Sequence, residues 1–312
     1  MNIFVTGWAG FIGSYLTTSL LQSGHSVTIY DSLVNSSQDN AKRLEELNAS
    51  FIFGDITDYE HVLKSLTNFD ICIHLAAQID VSHSIKDPSN NNLVNISGTR
   101  NVLNACAKNN VDIISASTAA VYEDSNEILS EESPTKPSSP YGQSKLAMEE
   151  LLRDFSKTHG INSLNLRMFN VYGKGQNTNY AGVITKFLEN IKNENDLTIY
   201  GDGESLRDFV SVYDIVEVII LAMKKIKGKE GQSYNVASGT STKIKDLASL
   251  MISISNKNNI GINYSSPRPG DIVNSKASIL LATETFGFSP KISINEGLEQ
   301  LINSWIFFWI CI

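Results

Sequence analysis

The sequence predicts an α/β fold in which a doubly wound parallel sheet is followed by a smaller, less regular α/β lobe. Three observations carry this. Short β-rich runs alternate with longer helix-patterned ones through the first half of the chain, the signature of a parallel sheet with helices on both faces. The strands are nearly continuous apolar runs, such as Ile71-Cys72-Ile73, as expected for strands covered on both sides. A glycine-rich loop joins the first strand to the first helix, where this class of fold binds its ligands.

In order, Asn2–Thr6 reads as a strand, Gly10–Gln22 as a helix, Ser26–Tyr30 as a strand and Ala41–Leu47 as a helix. Ser50–Phe53 and Asp70–Leu75 are strands flanking a helix at Tyr59–Leu66. A long helical stretch covers about Pro88–Asn109, and Val111–Ala116 is the next strand. Ser139 can cap a helix over Pro140–His159, with Pro140 suited to its first turn, and Asn162–Phe169 is a strand. After about residue 170 the pattern loosens. Glycine turns stand at Gly173-Lys174-Gly175 and Gly201-Asp202-Gly203, with helices at Ile215–Lys225 and Lys245–Ile254 and a loop at Pro267-Arg268-Pro269-Gly270. The expected organisation is a nucleotide-binding unit over 1–169, with 208–238 interleaved into it, and a mainly substrate-binding lobe over 170–312. No repeat or low-complexity tract interrupts it.

The net charge of −8 lacks the basic stripe that nucleic-acid binding needs, so that class is set aside. Cys72, Cys106 and Cys311 are odd in number and widely spaced, and the five histidines have no ligand spacing. A disulfide framework and a metal site are therefore not expected. A signal peptide is not expected before Ile3-Phe4-Val5 and no apolar stretch is long enough to span a bilayer, so a cytoplasmic location is expected. The greasy end at 305–312 reads as packed on the body or on a partner subunit.

Thr6 to Gly13 contains Gly7, Gly10 and Gly13 in a GxxGxxG spacing. Gly7 permits the tight turn, Gly10 lets backbone approach a pyrophosphate, and Gly13 lets the helix pack close to the sheet. The helix N-terminus adds free N–H groups and positive dipole. Asp31 ends the second strand, where an acidic side chain accepts from the adenosine ribose of NAD and repels the extra phosphate of NADP. A turn or cap role is the alternative for Asp31. Asp55 can reach the adenine or cap the helix that follows. Strand, glycine loop, helix, strand and Asp in that order describe a Rossmann-like NAD site.

Tyr141-Gly142-Gln143-Ser144-Lys145 places Tyr141 and Lys145 one helical turn apart on one face. A phenol with a pKa of about 10 is a poor base at neutral pH. A nearby ammonium and a positive nicotinamide ring would lower that value and make Tyr141 a general base and acid. Thr118, at the C-terminal end of the fifth strand, points toward the crevice and could bond both a substrate hydroxyl and Tyr141, or serve as a turn residue.

With these elements in place, the chain resembles the extended short-chain dehydrogenase/reductase family, and within it the NAD-dependent nucleotide-sugar epimerases of the UDP-glucose 4-epimerase type. The resemblance runs over about residues 2–305. It is carried by TGWAGFIGS (6–14), HLAAQ (74–78), VSHSIKDP (81–88), Asn95-Ile96-Ser97-Gly98-Thr99, STAAVY (117–122), YGQSK (141–145), RMFNVYGKGQ (167–176), GDGESLRDFV (201–210) and PRPGDI (267–272). It implies that Tyr141, Lys145 and Thr118 are catalytic. It also implies that Gly7, Gly10, Phe11, Ile12, Gly13, Asp31, Asp55, Ile56, Leu75, Ala76, Ala77 and Asn95 line the NAD site, with Lys145 on the nicotinamide ribose. Ser84 and Asn170 would touch the sugar, and Arg207, Arg268 and Asp271 the uridine diphosphate. Two positions depart from the family's pattern: Glu123 stands where glycine is usual, and Ser82-His83 where many relatives carry arginine.

The resemblance further implies a reaction. Tyr141 takes the proton from the sugar 4-hydroxyl as hydride leaves the same carbon, the keto sugar turns over, and hydride and proton return to its other face. No Asp-Glu pair follows Thr118, which disfavours the sugar dehydratases of the family. Ser275, small where relatives vary in bulk, leaves room for an N-acetyl group, so the substrates expected are UDP-glucose/UDP-galactose and the N-acetylhexosamine pair. The competing readings are a UDP-glucuronate 4-epimerase or decarboxylase, a reductase of a small carbonyl, and a non-catalytic NAD-binding protein. A homodimer through the helices Pro88–Asn109 and Pro140–His159 is expected.

Overall fold

The computed structural model describes residues 1–34, 47, 49–176, 182–267 and 275–306, with residues 305 and 306 described as backbone alone. The first half of the chain runs β1 (Asn2–Thr6), α1 (Phe11–Gln22), β2 (Ser26–Asp31), β3 (Ser50–Phe53), α2 (Tyr59–Ser65), β4 (Ile71–His74), α3 (Val81–Lys86), α4 (Pro88–Asn92), α5 (Thr99–Asn109), β5 (Asp112–Thr118), α6 (Pro140–His159) and β6 (Ser163–Met168). The second runs β7 (Asn170–Tyr172), α7 (Val183–Lys192), β8 (Leu197–Tyr200), β9 (Leu206–Ser211), α8 (Val212–Lys224), β10 (Glu230–Val236), β11 (Ser241–Lys243), α9 (Ile244–Ser255), β12 (Ile262–Ser265), α10 (Leu280–Phe286) and α11 (Ile294–Ile306).

Seven strands form one sheet in the order β10-β6-β5-β4-β1-β2-β3, and every neighbouring pair is parallel. The chain leaves β1 to build one flank and crosses back to β4 to build the other. The strand order therefore reverses at β1 and β4, and the crevice beyond their C-terminal ends is where an open α/β sheet binds ligands. Burial on both faces explains the unbroken apolar strands. Leu16, Leu20, Val218 and Ile219 join one layer of core, and Val62, Val102, Leu103, Met148 and Leu152 the other. Each such side chain contributes about 2 kcal/mol by leaving water.

The last strand of the large sheet, β10, comes from beyond residue 229, so the chain visits the smaller lobe and returns. That lobe holds a three-stranded sheet, β11-β9-β7, and a two-stranded one, β12-β8, around its own core of Phe187, Leu197, Phe209, Leu247, Met251 and Leu298.

The long helix expected over Pro88–Asn109 is broken. Asp87 ends α3 and caps α4 by accepting from Asn90 N at 3.0 Å, and a π-helical turn over Leu93–Gly98 separates α4 from α5. The wider turn holds Asn95 inward, where its amide nitrogen donates to Gln78 O at 2.9 Å and to Ser144 Oγ at 3.0 Å. The helix expected at Ala41–Leu47 and the end of the greasy C-terminus lie outside the described residues, save Leu47 and the backbone to 306. Among the described residues, no helix is long and apolar enough to cross a membrane.

Candidate active site

A cleft of about 1690 Å³ opens along the C-terminal edge of the large sheet and runs on into the smaller lobe. Its first wall is the glycine loop. Gly7 sits at φ +78°, and a Cβ there would stand 2.5 Å from Ala76 N, so only glycine lets β1 turn against the start of the β4 loop. A Cβ on Gly13 would meet Gly7 O at 2.5 Å, so the helix could not seat as closely. Gly10 precedes α1 and gives no side-chain cap. The N–H groups of its first turn are thus left for a ligand, as a pyrophosphate requires.

Asp31, at the end of β2, is buried and shapes this loop: one carboxylate oxygen accepts from Ala9 N at 2.8 Å and the other from Leu33 N at 2.7 Å. Burial pushes its pKa up, and those two N–H groups oppose the rise. The turn role left open for Asp31 is thus observed, while its side chain still lines the cleft. Asp55 does not cap the next helix; Asp58 does, accepting from His61 N at 3.1 Å. Asp55 instead accepts from the Thr57 N–H and hydroxyl, both at 2.8 Å, on the cleft wall. Phe11, Ile12, Ile56, Leu75, Ala76 and Ala77 complete this end. Gln78, which the residue-by-residue reading passed over, also lines it, and its Oε1 is buried with no partner.

Mid-cleft stand Thr118, Tyr141 and Lys145. Helix α6 begins as its sequence dictates: Ser139 Oγ accepts from Gly142 N at 3.1 Å, Pro140 occupies the first turn, and Gly160 closes the far end at φ +70°. This presents Tyr141 beside the end of β5. Tyr141 keeps part of its surface open to the cleft, yet the protein crowded around its ring pushes its pKa up to about 12, with hydrogen bonding from Thr118 working against the rise. The expected lowering by Lys145 is not what the structure shows. The Lys145 ammonium turns toward the strand instead, donating to Ala116 O at 2.8 Å. Burial also brings Lys145 down to about 8, against the pull of Glu149. Desolvation of the phenolate outweighs the hydrogen bond with Thr118.

At the far end Asn170 and Arg207 face the same space. Asn170 Nδ2 donates to Asp208 O at 2.9 Å and reaches Ser275 Oγ at 3.5 Å, so Ser275 lies just behind the wall rather than on it. Two further expectations fall elsewhere. Ser84 is fully buried, donates to Val81 O at 2.7 Å and accepts from Tyr141 N at 3.2 Å. It ties down the start of α6 instead of facing a sugar. Asn95, also buried, spends its side chain on Gln78, Ser144 and Asn91, whose Oδ1 is 3.2 Å from its Nδ2. Arg268 and Asp271 lie outside the described residues. His74, a strand-end side chain, is held between the hydroxyls of Thr6 at 2.8 Å and Thr99 at 3.0 Å. Burial drops its pKa to about 3, so it stays neutral. No cluster that could hold a metal ion occurs among the described residues.

A Rossmann sheet whose uncapped glycine loop, strand-end carboxylate and Tyr-Lys helix open onto one cleft defines a dinucleotide-dependent enzyme. The chain belongs to the NAD dependent epimerase/dehydratase family, whose profile matches residues 3–237, and its cofactor is NAD. Three solved structures are similar over their whole length. The UDP-glucose 4-epimerase of Thermotoga maritima, solved with UDP-glucose, is 33% identical with a TM-score of 0.92, over 99% of this chain and 100% of that one. The UDP-N-acetylglucosamine 4-epimerase of Methanobrevibacter ruminantium, in complex with UDP-N-acetylmuramic acid, is 34% identical with a TM-score of 0.92, over 98% of each chain. The UDP-glucuronic acid 4-epimerase of Bacillus cereus, with UDP-glucuronic acid and NAD, is 31% identical with a TM-score of 0.91, over 99% and 100%.

Proposed function

We propose that this protein inverts the 4-position of a UDP-hexose, UDP-glucose and UDP-galactose first, with the N-acetylhexosamine pair as further substrates. The observation that carries the reading is the single cleft in which Thr118, Tyr141 and Lys145 stand between the glycine loop and Arg207. Nucleotide, reacting carbon and diphosphate end can then be held at once. NAD, when bound, would supply the hydride acceptor and a positive charge. Tyr141 takes the proton of the sugar 4-hydroxyl and returns it after the keto sugar has turned over. Thr118 orients that hydroxyl, and Lys145 holds the nicotinamide ribose. Arg207 brings a positive charge to the diphosphate end. Ala119 and Ala120 follow Thr118 where a dehydratase would carry its acid and base, which favours epimerisation within the family. The small Ser275 behind Asn170 leaves room at the 2-position of the sugar.

Arg268 and Asp271 are proposed for the uridine diphosphate on the resemblance alone, and Ser84 and Asn95 as supports of the site. A second copy of the chain is proposed to cover Ile85 and Leu93, which are 64% and 51% exposed beside α6. A uronate substrate is the second reading, favoured by a basic residue, Lys186, among those lining the cleft.

The test is an NMR time course of purified protein with UDP-galactose and no added NAD. UDP-glucose should appear. No conversion there or with UDP-N-acetylgalactosamine, but conversion of UDP-glucuronate, would transfer the assignment to the second reading.

A further inference from the structure

Beneath the site lies a buried polar cluster that the proposed reaction does not use. Glu149 is fully buried and every one of its partners is internal. Arg167 grips it with two nitrogens, Nε to Oε1 at 3.0 Å and Nη2 to Oε2 at 2.7 Å. Ser117 Oγ donates to Oε1 at 2.5 Å and Ser233 Oγ to Oε2 at 2.9 Å. Arg167 Nη1 donates to Tyr122 Oη at 2.9 Å, and Tyr122 in turn donates to Asn235 Oδ1 at 2.6 Å. The guanidinium also sits 4.8 Å from the centre of the Tyr122 ring.

Stability alone gives no account of this cluster, because burying two charges costs about as much as their attraction returns, and an apolar pair often does as well. Position does. Tyr141, Lys145 and Glu149 follow one another at one-turn intervals along one face of α6. Ser117 immediately precedes Thr118, and Arg167 lies across the ladder from Ser117 in β6. Lys145 bonds to Ala116 and Glu149 to Ser117, so the helix grips two successive residues of the strand end that carries Thr118.

We propose that Glu149, clamped by Arg167 and Ser117, is a positioning residue that holds Thr118 in register with Tyr141 and Lys145 and keeps a negative charge one turn below the Lys145 ammonium. The proposal rests on the 4-epimerase reading. The titratable groups facing Lys145 are Tyr141 and Glu149 on its own helix and His74 on β4, with Arg167 of β6 behind Glu149. His74 is neutral, leaving Glu149 as the carboxylate that opposes desolvation of the ammonium. Removing that charge lowers the pH at which Lys145 loses its proton, so activity that needs the ammonium fades at lower pH.

The experiment measures kcat and KM against pH for wild type, Glu149→Gln, the charge-balanced Glu149→Gln/Arg167→Gln and Ser117→Ala. Glu149→Gln should move the alkaline limb of kcat down by at least about half a pH unit with KM within about twofold. The double variant should show a smaller move in the same direction, and carries the charge test should the single variant not fold. Ser117→Ala, which leaves every charge in place, should lower kcat about threefold to tenfold with the limb unmoved. Folded variants whose kcat and alkaline limb match wild type, with only the melting temperature lowered, would overturn the proposal. An inactive wild type would instead remove the epimerase reading on which it rests.

Discussion

The two ends of the cleft are built differently. At the cofactor end, the backbone does the work: Gly7 at φ +78°, the uncapped start of α1 and the Asp31 carboxylate on Ala9 N make the pocket from main-chain geometry. At the substrate end, side chains borrowed from several elements converge: Asn170 leans on Asp208 O, and Arg207 Nη1 on Leu206 O at 2.9 Å. Backbone recognition suits a constant ligand such as NAD. Side-chain recognition can be retuned without disturbing the sheet, which suits a family whose solved members carry different UDP-sugars.

Four perturbations act separately on the two ends and on the middle of the cleft. The largest effect belongs between the two ends: Tyr141→Phe should lower turnover by about a hundredfold to ten-thousandfold, with the circular dichroism spectrum and retained NAD unchanged. Gly7→Ala attacks the backbone-built end, where a methyl would stand 2.5 Å from Ala76 N at a φ that L-residues rarely adopt. It should strip NAD from the protein through gel filtration and lower the melting temperature. Arg207→Ala attacks the side-chain-built end. KM for the UDP-sugar should rise about tenfold to a hundredfold, the worth of a charged hydrogen bond, while NAD retention is untouched. An unchanged KM there would remove Arg207 from the diphosphate site.

The smallest effect at neutral pH is the titration of Lys145. Its pKa lies near 8, below the ordinary lysine value, because burial disfavours the charge. The ammonium is therefore intact below that pH and lost above it, so kcat/KM of the free enzyme should fall on the alkaline side with a midpoint near 8. A profile flat to pH 10 would show that the charge on Lys145 is not needed.

Legibility in the sequence followed the same division. Wherever one local constraint decides the structure, the residues announce it: Ser139 and Pro140 start α6, and Ser50–Phe53 has the bounds its pattern predicts. Asn95 and Ser84 read as ligand contacts because their motifs are family signatures. Their actual partners, Gln78, Ser144 and Tyr141 N, are brought to them by tertiary structure that spacing along the chain does not encode. The π-helical turn at Leu93–Gly98 hid for the same reason. The strands beyond residue 170, β7 to β12, escaped although β3 is as short as β8 and β12, because no regular alternation of strand and helix frames them there. Glu149 could have been found from its place one turn after Lys145, but Arg167 and Ser117 reach it only across the sheet.

In the proposed reaction hydride leaves and returns at the same sugar carbon within one cleft. That path is tested most directly by following UDP-galactose deuterated at the hexose 4-position to product by NMR and mass spectrometry. UDP-glucose that retains the deuterium at that position is expected, with no NADH released. Deuterium lost to solvent or to free cofactor, or a keto sugar released as the product, would contradict it.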